Sequence, residues 1–395
     1  MKTSPKTAPR TAPRTAPKTA PRTVLISGGG IAGCALAALL ARRGFAPTVV
    51  ERAPGLRDGG QAVDVRGVAL EVVDRLGVLG PVREHRTRMR GMSVLDGEGR
   101  EVHRSTDSTY SSGRLDGDDV ELLRDDLVRI LHGRAAEEGA EFVFGDAVTA
   151  LDQDEDGVLA RFGQAGPRRF DLVVGADGLH SAVRRLAFGP EERFATHLGL
   201  HLALFSAENF LGLEDWQLWL RDGEIGFGIY PARGNTELRI GFGFAAGPLP
   251  DGPTPHARSG PEADRALVAE RMAALRWERE RLLRALADAP DLTCFPMTQI
   301  HLDRWSRGRV TLLGDAGSCP SPLSGQGTSL ALVGAHVLAD ALAGCGGDHR
   351  AAFAAYEERL RPFVRLNQAL ATENPGGPAS EESVERAKNA ITLDA

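Results

Sequence analysis

The sequence predicts a discontinuous α/β protein: a mostly parallel sheet flanked by helices, a β-rich unit inserted into it, and helices at the C-terminal end. Three observations predict this. Between Thr23 and Glu51 a strand, a glycine-rich turn, an apolar helix and a second strand follow one another, which is a complete β-turn-α-β unit. Residues 197–244 change character and alternate apolar with polar, as half-buried antiparallel strands do. An apolar strand at 309–313 then runs into Gly314-Asp315, and a long apolar helix at 327–343 returns the chain to the first kind of structure.

The elements follow in order. The first 22 residues repeat TAPR, TAPR, TAPK and TAPR, with six cations and no acid, and read as a Pro-rich tail without fixed structure. They lack the apolar core of a signal peptide. Ala69, Val72, Val73 and Leu76 mark a helix over 68–79, stopped by Gly77 and Gly80-Pro81. Residues 91–104 read as a hairpin around Asp96-Gly97. Val120, Leu123, Leu127 and Leu131 place a helix over 119–136. Strands follow at 141–144, 147–152, 157–162 and 169–174, the last ending in Gly175-Ala176-Asp177-Gly178. The inserted sheet has strands at 197–205, 216–221, 224–230 and 237–244, with Asp222-Gly223 as a hairpin turn. A Pro/Gly/Ser loop (248–261) and one charged helix (262–287) come next, and helices at 350–371 and 380–391 end the chain.

The unit boundaries are therefore 1–22 for the tail, 23–72 with 101–185 and 297–345 for the dinucleotide-binding unit, 73–100 with 186–296 for the inserted unit, and 346–395 for the C-terminal helices and tail. Clefts between such units are common ligand sites. The chain carries a net charge of -6, and the tail holds six of its cations. The remaining body is more acidic still, which argues against a nucleic-acid surface. Four scattered cysteines with no CxxC pair point to reduced thiols in the cytoplasm and no metal site. No long apolar run suggests a membrane span.

The chemistry is carried by four motifs. In Gly28-Gly29-Gly30-Ile31-Ala32-Gly33 the first glycine permits the tight turn, Gly30 lets a pyrophosphate approach the backbone, and Gly33 packs helix on strand. The pyrophosphate belongs on the helix N-terminus. Glu51 closes the second strand, where a carboxylate binds a ribose 2′-OH and repels a 2′-phosphate, so the nucleotide is FAD or NAD rather than NADP. Asp177-Gly178 ends a strand and is read either as a second contact to the same cofactor or as a helix cap. Arg124 is read either as a cation reaching the cofactor or as a solvated helix charge. In Gly314-Asp315, Pro322 and Gly325-Gln326-Gly327-Thr328, a carboxylate, a rigid turn and a helix start surround one small volume. Asp315 suits a polyol such as a ribityl chain. Pro322 suits a planar ring, and the helix-start amides suit an anion on it.

The inserted sheet adds a candidate substrate face. Pairing across Asp222-Gly223 sets Leu220 opposite Ile225, Leu218 opposite Phe227 and Trp216 opposite Ile229. The other face then carries Gln217, Trp219, Gly226, Gly228, Tyr230, Arg239, Gly241 and Gly243, with His201 added by parity. Glycines on alternate positions weaken a strand but clear space above it. This face is read as the roof of a substrate pocket, with Trp219 as a wall and Gln217 and His201 as polar contacts. The alternative is an ordinary solvent face.

Taken together, Gly28 to Gly33 with Glu51-Arg52, Asp177-Gly178 and Gly314-Asp315 resemble the single-component FAD monooxygenases of the para-hydroxybenzoate hydroxylase fold, over about residues 22–371. The stretch from Gly314 to Leu332 looks closest to the polyketide-tailoring and tetracycline-inactivating branch. The resemblance implies a Rossmann-like FAD-binding domain, FAD as cofactor and NAD(P)H and O2 as co-substrates. It further implies oxygen transfer from a flavin C4a-hydroperoxide to an aromatic or polycyclic small molecule. Baeyer–Villiger insertion, epoxidation, dehydrogenation or flavin binding without turnover are the alternatives on the same scaffold. It implies FAD contacts at Arg52, Arg124, the Val148 backbone and Asp64, and substrate contacts at His201, Gln217 and Trp219. A cytoplasmic monomer or weak homodimer is expected. The chain departs from many relatives at Ser329, where they carry Asn, and at Gly334-Ala335, where they carry Asp-Ala.

Overall fold

The computed structural model describes residues 22–57, 59–111, 113–223, 225–245, 260–374 and 378–393; the expected tail and nearly all of the 248–261 loop lie outside them. A six-stranded sheet forms the first half of the molecule, in the order Ser306–Arg307, Val310–Leu312, Leu172–Gly175, Thr23–Ser27, Ala46–Glu51, Glu141–Phe144. All neighbours are parallel except the first pair. The strands are near-continuous apolar runs, and Val24 to Ile26, Leu172 to Val174, Val310 and Leu312 are fully buried, as a sheet covered on both faces requires. Helices Ile31–Arg42, Arg124–Glu137, Gly327–Gly344 and His349–Glu373 pack into the same apolar core.

Gly327–Gly344 has the length and hydropathy of a membrane span, contrary to the reading that no segment does. Its composition has another cause. Leu330 to Ala339 are all buried, against Ile31–Arg42, Val68–Arg75 and His349–Glu373.

The second half is a seven-stranded sheet in the order Thr293–Ile300, Ala195–Glu208, Glu237–Ala245, Ile225–Ala232, Gln217–Asp222, Met92–Leu95, Glu101–Ser105. One face carries Ala203, Phe205, Leu220, Phe227, Ile229, Leu238, Ile240, Phe242 and Phe244. It is covered by helices Pro261–Met272 and Arg279–Asp288 through Val268, Met272, Leu282 and Leu286.

Four expectations are corrected. Residues 120–123 form a strand, Val120–Leu123, antiparallel to Ala62–Val65, and the helix begins only at Arg124. Pairing with a strand overrides the helical spacing of Val120 and Leu123. The charged helix at 262–287 is two helices, with Glu278 in a left-handed turn between them (φ 50°). The Asp222-Gly223 hairpin is two residues out of the expected register: Leu218 pairs with Ile229, Trp219 with Gly228 and Leu220 with Phe227. The turn lies one residue later than read, after Asp222, with Gly223 at φ 62°; a slip of two keeps every side chain on its expected face. The unit boundary at 72/73 also moves. Val73, Leu76, Val78 and Val82 lie in the first core, whereas Glu101–Ser105 joins the second sheet.

Candidate functional site

The glycine fingerprint is built by close approach. Gly28 has φ 108°, and a Cβ there would lie 2.4 Å from the Ala176 carbonyl oxygen. A Cβ on Gly33 would lie 1.9 Å from the Gly28 carbonyl oxygen, so only glycine permits this helix–strand contact. Gly30 instead faces open space and starts helix Ile31–Arg42 with no capping side chain. Its free amides, with Ile31 and Ala32 in the first turn, form a ready anion site. Glu51 Oε2 accepts from Gly29 N at 2.9 Å, and Oε1 accepts from Ala53 N at 2.9 Å and Arg57 Nη2 at 3.1 Å. Burial pushes its carboxyl up, but the two backbone donors and Arg57 outweigh that and leave it below the ordinary range. Glu51 is thus a fixed, ionised acceptor beside the turn. Arg52 is exposed at the strand end, and Val148 is buried at the start of Val148–Gln153.

Asp177 follows the next strand and packs its backbone on Gly28. Its carboxylate serves the helix after it. Oδ2 accepts from Ala182 N at 2.8 Å and Val183 N at 3.1 Å, and Oδ1 accepts from the Ser181 hydroxyl. Of its two sequence readings, the cap is the one these bonds satisfy. Arg184 is also turned inward. Its Nη1 donates to Ala316 O at 3.0 Å and its Nη2 to Leu179 O at 2.6 Å and to Glu191. It fastens the Asp315 turn to the Asp177 turn and is not open to a phosphate.

Gly314 (φ 62°) closes the distance to the fingerprint, since a Cβ there would lie 3.3 Å from Ala32 Cβ. Asp315 opens the short helix Asp315–Ser318 and accepts no backbone N–H among the described residues. Burial holds its carboxyl above the ordinary range, against the lowering effects of the Cys319 thiol, Arg124 and Arg184. Ser321 has φ 71°, a conformation that costs a non-glycine residue about 1–3 kcal/mol and clusters at functional sites. The Pro322–Ser324 turn follows, with Pro322 exposed, and Gly325 (φ 64°) closes it. Gln326 is fully buried, and neither atom of its side-chain amide has a partner. Helix Gly327–Gly344 starts without a capping side chain, Gly327 faces open space and Thr328 is buried.

Segment 59–66 is the seam between the two halves. A Cβ on Gly60 would lie 3.1 Å from Arg124 Nε, and Gln61 O accepts from Arg124 N at 3.1 Å. The Arg124 guanidinium makes no hydrogen bond or ion pair among the described residues; burial and Arg57 lower its pKa, while Asp125, Glu51 and Asp315 oppose this. A partly buried guanidinium without a partner among the described residues, between two carboxylate-bearing turns, fits an anionic ligand between them. Tyr230 accepts from Ala62 N at 2.6 Å and donates to Gln61 Oε1 at 2.6 Å. Asp64 lies on the same segment, bonded to Arg66.

On the glycine-rich face, a Cβ on Gly228 would lie 2.7 Å from the Trp219 ring, so the indole crosses the sheet where glycine leaves room. Trp219 Nε1 donates to Gln217 Oε1 at 3.0 Å, Gln217 Nε2 donates to Ser111 Oγ at 2.6 Å, and the Tyr110 ring meets Trp219 edge-on at 5.4 Å. Gln217 is fully buried, so its amide holds Trp219 in place. His201 is corrected. It pairs with Phe244 and stacks on it at 5.4 Å, on the helix-covered face. Alternation puts it with Ala203 and Phe205, which pair with Phe242 and Ile240. Leu202 and Leu204 face Gly241 instead.

Arg66, Glu121, Ser111 and Tyr110 were not read from the sequence as site residues. Arg66 had a signal, two positions from Asp64 in a strand. Glu121 was hidden by the helix assigned to 119–136.

These residues fit a dinucleotide cofactor that carries a polyol and a ring able to become anionic: two uncapped helix starts, an unpaired guanidinium, an orphaned buried amide, and a carboxylate at each end. Residues 22–369 match a family model described as an FAD binding domain. An uncharacterized protein of Mycobacterium tuberculosis is 48% identical over 373 residues, covering 94% of this chain and 99% of that one. A flavin-dependent monooxygenase of Legionella longbeachae serogroup 1 is 34% identical over 345 residues, covering 87% of this chain and 86% of that one. Among solved structures, the tetracycline destructase Tet(51) superposes with a TM-score of 0.84 at 30% identity, over 95% of this chain and 100% of that chain.

Proposed function

The chain belongs to the FAD-binding-domain family and is a flavin-dependent monooxygenase of the tetracycline-destructase and polyketide-tailoring type, and from that premise we propose that it uses NAD(P)H and O2 to add one oxygen atom to an aromatic or polycyclic small molecule. NAD(P)H, a proton, O2 and substrate give NAD(P)+, water and oxygenated product. FAD, when bound, supplies the redox chemistry.

This chain's residues supply place and charge. The amides at Gly30, Ile31 and Ala32 would hold the pyrophosphate, and Glu51 would accept from a ribose hydroxyl. Asp315 would accept from the ribityl chain. Arg124, which feels both carboxylates, would balance phosphate charge. Pro322 would meet the ring, and the helix start at Gly327-Thr328 would favour negative charge on it. Trp219 forms an aromatic wall of the substrate pocket, with Leu202 and Leu204 as apolar lining. One observation carries the reading. Segment 59–66 touches Arg124 at one end, Tyr230 of the second sheet in the middle and the Gly325 turn through Arg66 at the other. The cofactor turn and the glycine-rich face are linked through one segment, which supports a shared site.

The test is direct. Purified chain takes up FAD and turns yellow, and a panel of phenolic and polycyclic ligands, tetracycline first, is screened for stimulated NADPH and NADH oxidation. The expected product gains one oxygen by mass. A chain that takes up no FAD sinks the reading. Ligand binding that never stimulates NAD(P)H oxidation makes it a binding protein instead.

A further inference from the structure

Beneath the Gly325 turn lies a charged cluster that the proposed reaction does not use. Asp64 and Glu121 are directly opposed partners in the ribbon formed by Ala62–Val65 and Val120–Leu123, so their side chains share one face. Glu121 is buried at 5% exposure, and the Asp64 side chain is 10% exposed. One cation reaches them. Arg66 Nη2 donates to Asp64 Oδ2 at 2.9 Å and to the Ser111 carbonyl, and its Nη1 lies 3.6 Å from where a Cβ on Gly325 would sit. Arg66 is 7% exposed and its Nε has no partner, and Asp64 Oδ1 is buried and equally unpartnered. Glu121 Oε2 accepts from Thr87 Oγ1 at 2.6 Å.

The other charged or titratable neighbours are matched elsewhere. Asp119 pairs with Lys388 Nζ at 2.8 Å, and Lys388 also meets Glu385. Tyr230 is bonded to Gln61 and Ala62, and Arg239 pairs with Glu237 and Asp291. Two ionised carboxylates and one guanidinium thus leave one net negative charge in a water-poor volume. A buried, uncompensated carboxylate is relieved by binding a proton, and two neighbouring carboxylates titrate as a pair. Burial pushes Asp64 up to about 8 and raises Glu121 too, in the same direction as the geometry.

We propose that Asp64 and Glu121 hold a single proton between them at neutral pH, and that Arg66 links the retention of that proton to the charge at the Gly325 turn. When negative charge appears at the turn, Arg66 shares its field with it. The pair then loses part of its compensating cation and binds its proton more tightly: a carboxylate takes H+ from water and becomes a carboxylic acid, with no bond made to the ligand. The link to the turn rests on the reading of Gly325 as the flavin's reactive end; the shared proton does not.

The experiment is infrared titration of the full chain, first without FAD. A carboxylic-acid C=O band, isolated by subtracting the wild-type spectrum at high pH from the wild-type spectra at lower pH, is expected at neutral pH and is lost as pH rises through about 8. Asp64→Asn and Glu121→Gln, both isosteric, each remove the same band, because either leaves Arg66 with one ionised partner. Arg66→Met adds a second acid band. Absence of the band in the wild-type chain, or its survival in either single variant, overturns the shared proton, and the wild-type titration needs no variant to fold. The chain is then loaded with FAD and reduced with dithionite. The midpoint moves to higher pH; an unmoved midpoint overturns the link to the turn. Failure to load FAD at all counts against the proposed function and leaves the first result standing.

Discussion

Asp177 and Asp315 follow neighbouring strands of the same parallel sheet, each beside a glycine, yet the fold uses them in opposite ways. Asp177 is surrounded by donors: two amides of the next helix and the Ser181 hydroxyl. Asp315 accepts from no amide among the described residues, and desolvation holds its carboxyl above the ordinary range. The first is a structural cap. The second lacks such a set of donors, and under the proposed function it is the carboxylate that would accept from a ligand. Gly-Asp or Asp-Gly after a strand marks a place in the fold. What else bonds the carboxylate decides its use.

The largest effect that tests this contrast is on cofactor affinity. Asp315→Ala is expected to weaken FAD binding by about 10- to 100-fold, the loss of a charge-assisted hydrogen bond worth about 1.5–3 kcal/mol. Asp177→Ala should change FAD affinity by less than about threefold, yet destabilise the FAD-free protein by about 1 kcal/mol through the lost cap. Fluorescence titration of FAD and thermal melts of the FAD-free chain separate the two. Equal losses of FAD affinity in both variants would break the distinction.

A smaller effect lies in pH. The folded Asp315 carboxyl is raised above its unfolded value of 3.8, so the folded state binds more protons wherever the two differ. Its share of stability is fullest below the unfolded value and is lost as pH rises towards the folded one. Asp315→Asn should therefore flatten the decline in melting temperature of the FAD-free chain on the alkaline side of pH 4. A wild-type slope retained in Asp315→Asn would show that burial of this carboxyl is not a stability cost.

The sequence made the same distinction only in part. The fingerprint glycines were legible because their roles are steric and local: Gly28 and Gly33 each face a backbone carbonyl oxygen at a distance no side chain allows. The first β-turn-α-β unit and the glycine-rich face were legible from periodicity, and the face survived a register error because side chains repeat every two residues. Asp177 was left between cap and ligand because its bonding partners were not visible in the motif. Arg66 and Glu121 were missed for a different reason. Their meaning depends on a pairing between Ala62–Val65 and Val120–Leu123, about 60 residues apart, that local propensity contradicts.

The seven-stranded sheet repeats the lesson with the smallest expected effect. His201 and Trp219 were both read as facing substrate. Trp219 lies across Gly228 on the open face, whereas His201 stacks on Phe244 under the helices, with Nδ1 buried and unpartnered. Burial, reinforced by Arg271, lowers the imidazole pKa, so the ring is neutral at pH 7, with Asp264 opposing only in part. His201→Phe removes the orphaned nitrogen and keeps the stack, so melting temperature and ligand-stimulated NAD(P)H oxidation should both stay close to wild type. Trp219→Ala should raise the KM for the oxidised ligand about tenfold or more through the lost aromatic contact, at little cost in FAD affinity. If His201→Phe raised KM as much as Trp219→Ala, the ring would have to reach the pocket through the sheet, and the assignment of the two faces would be wrong.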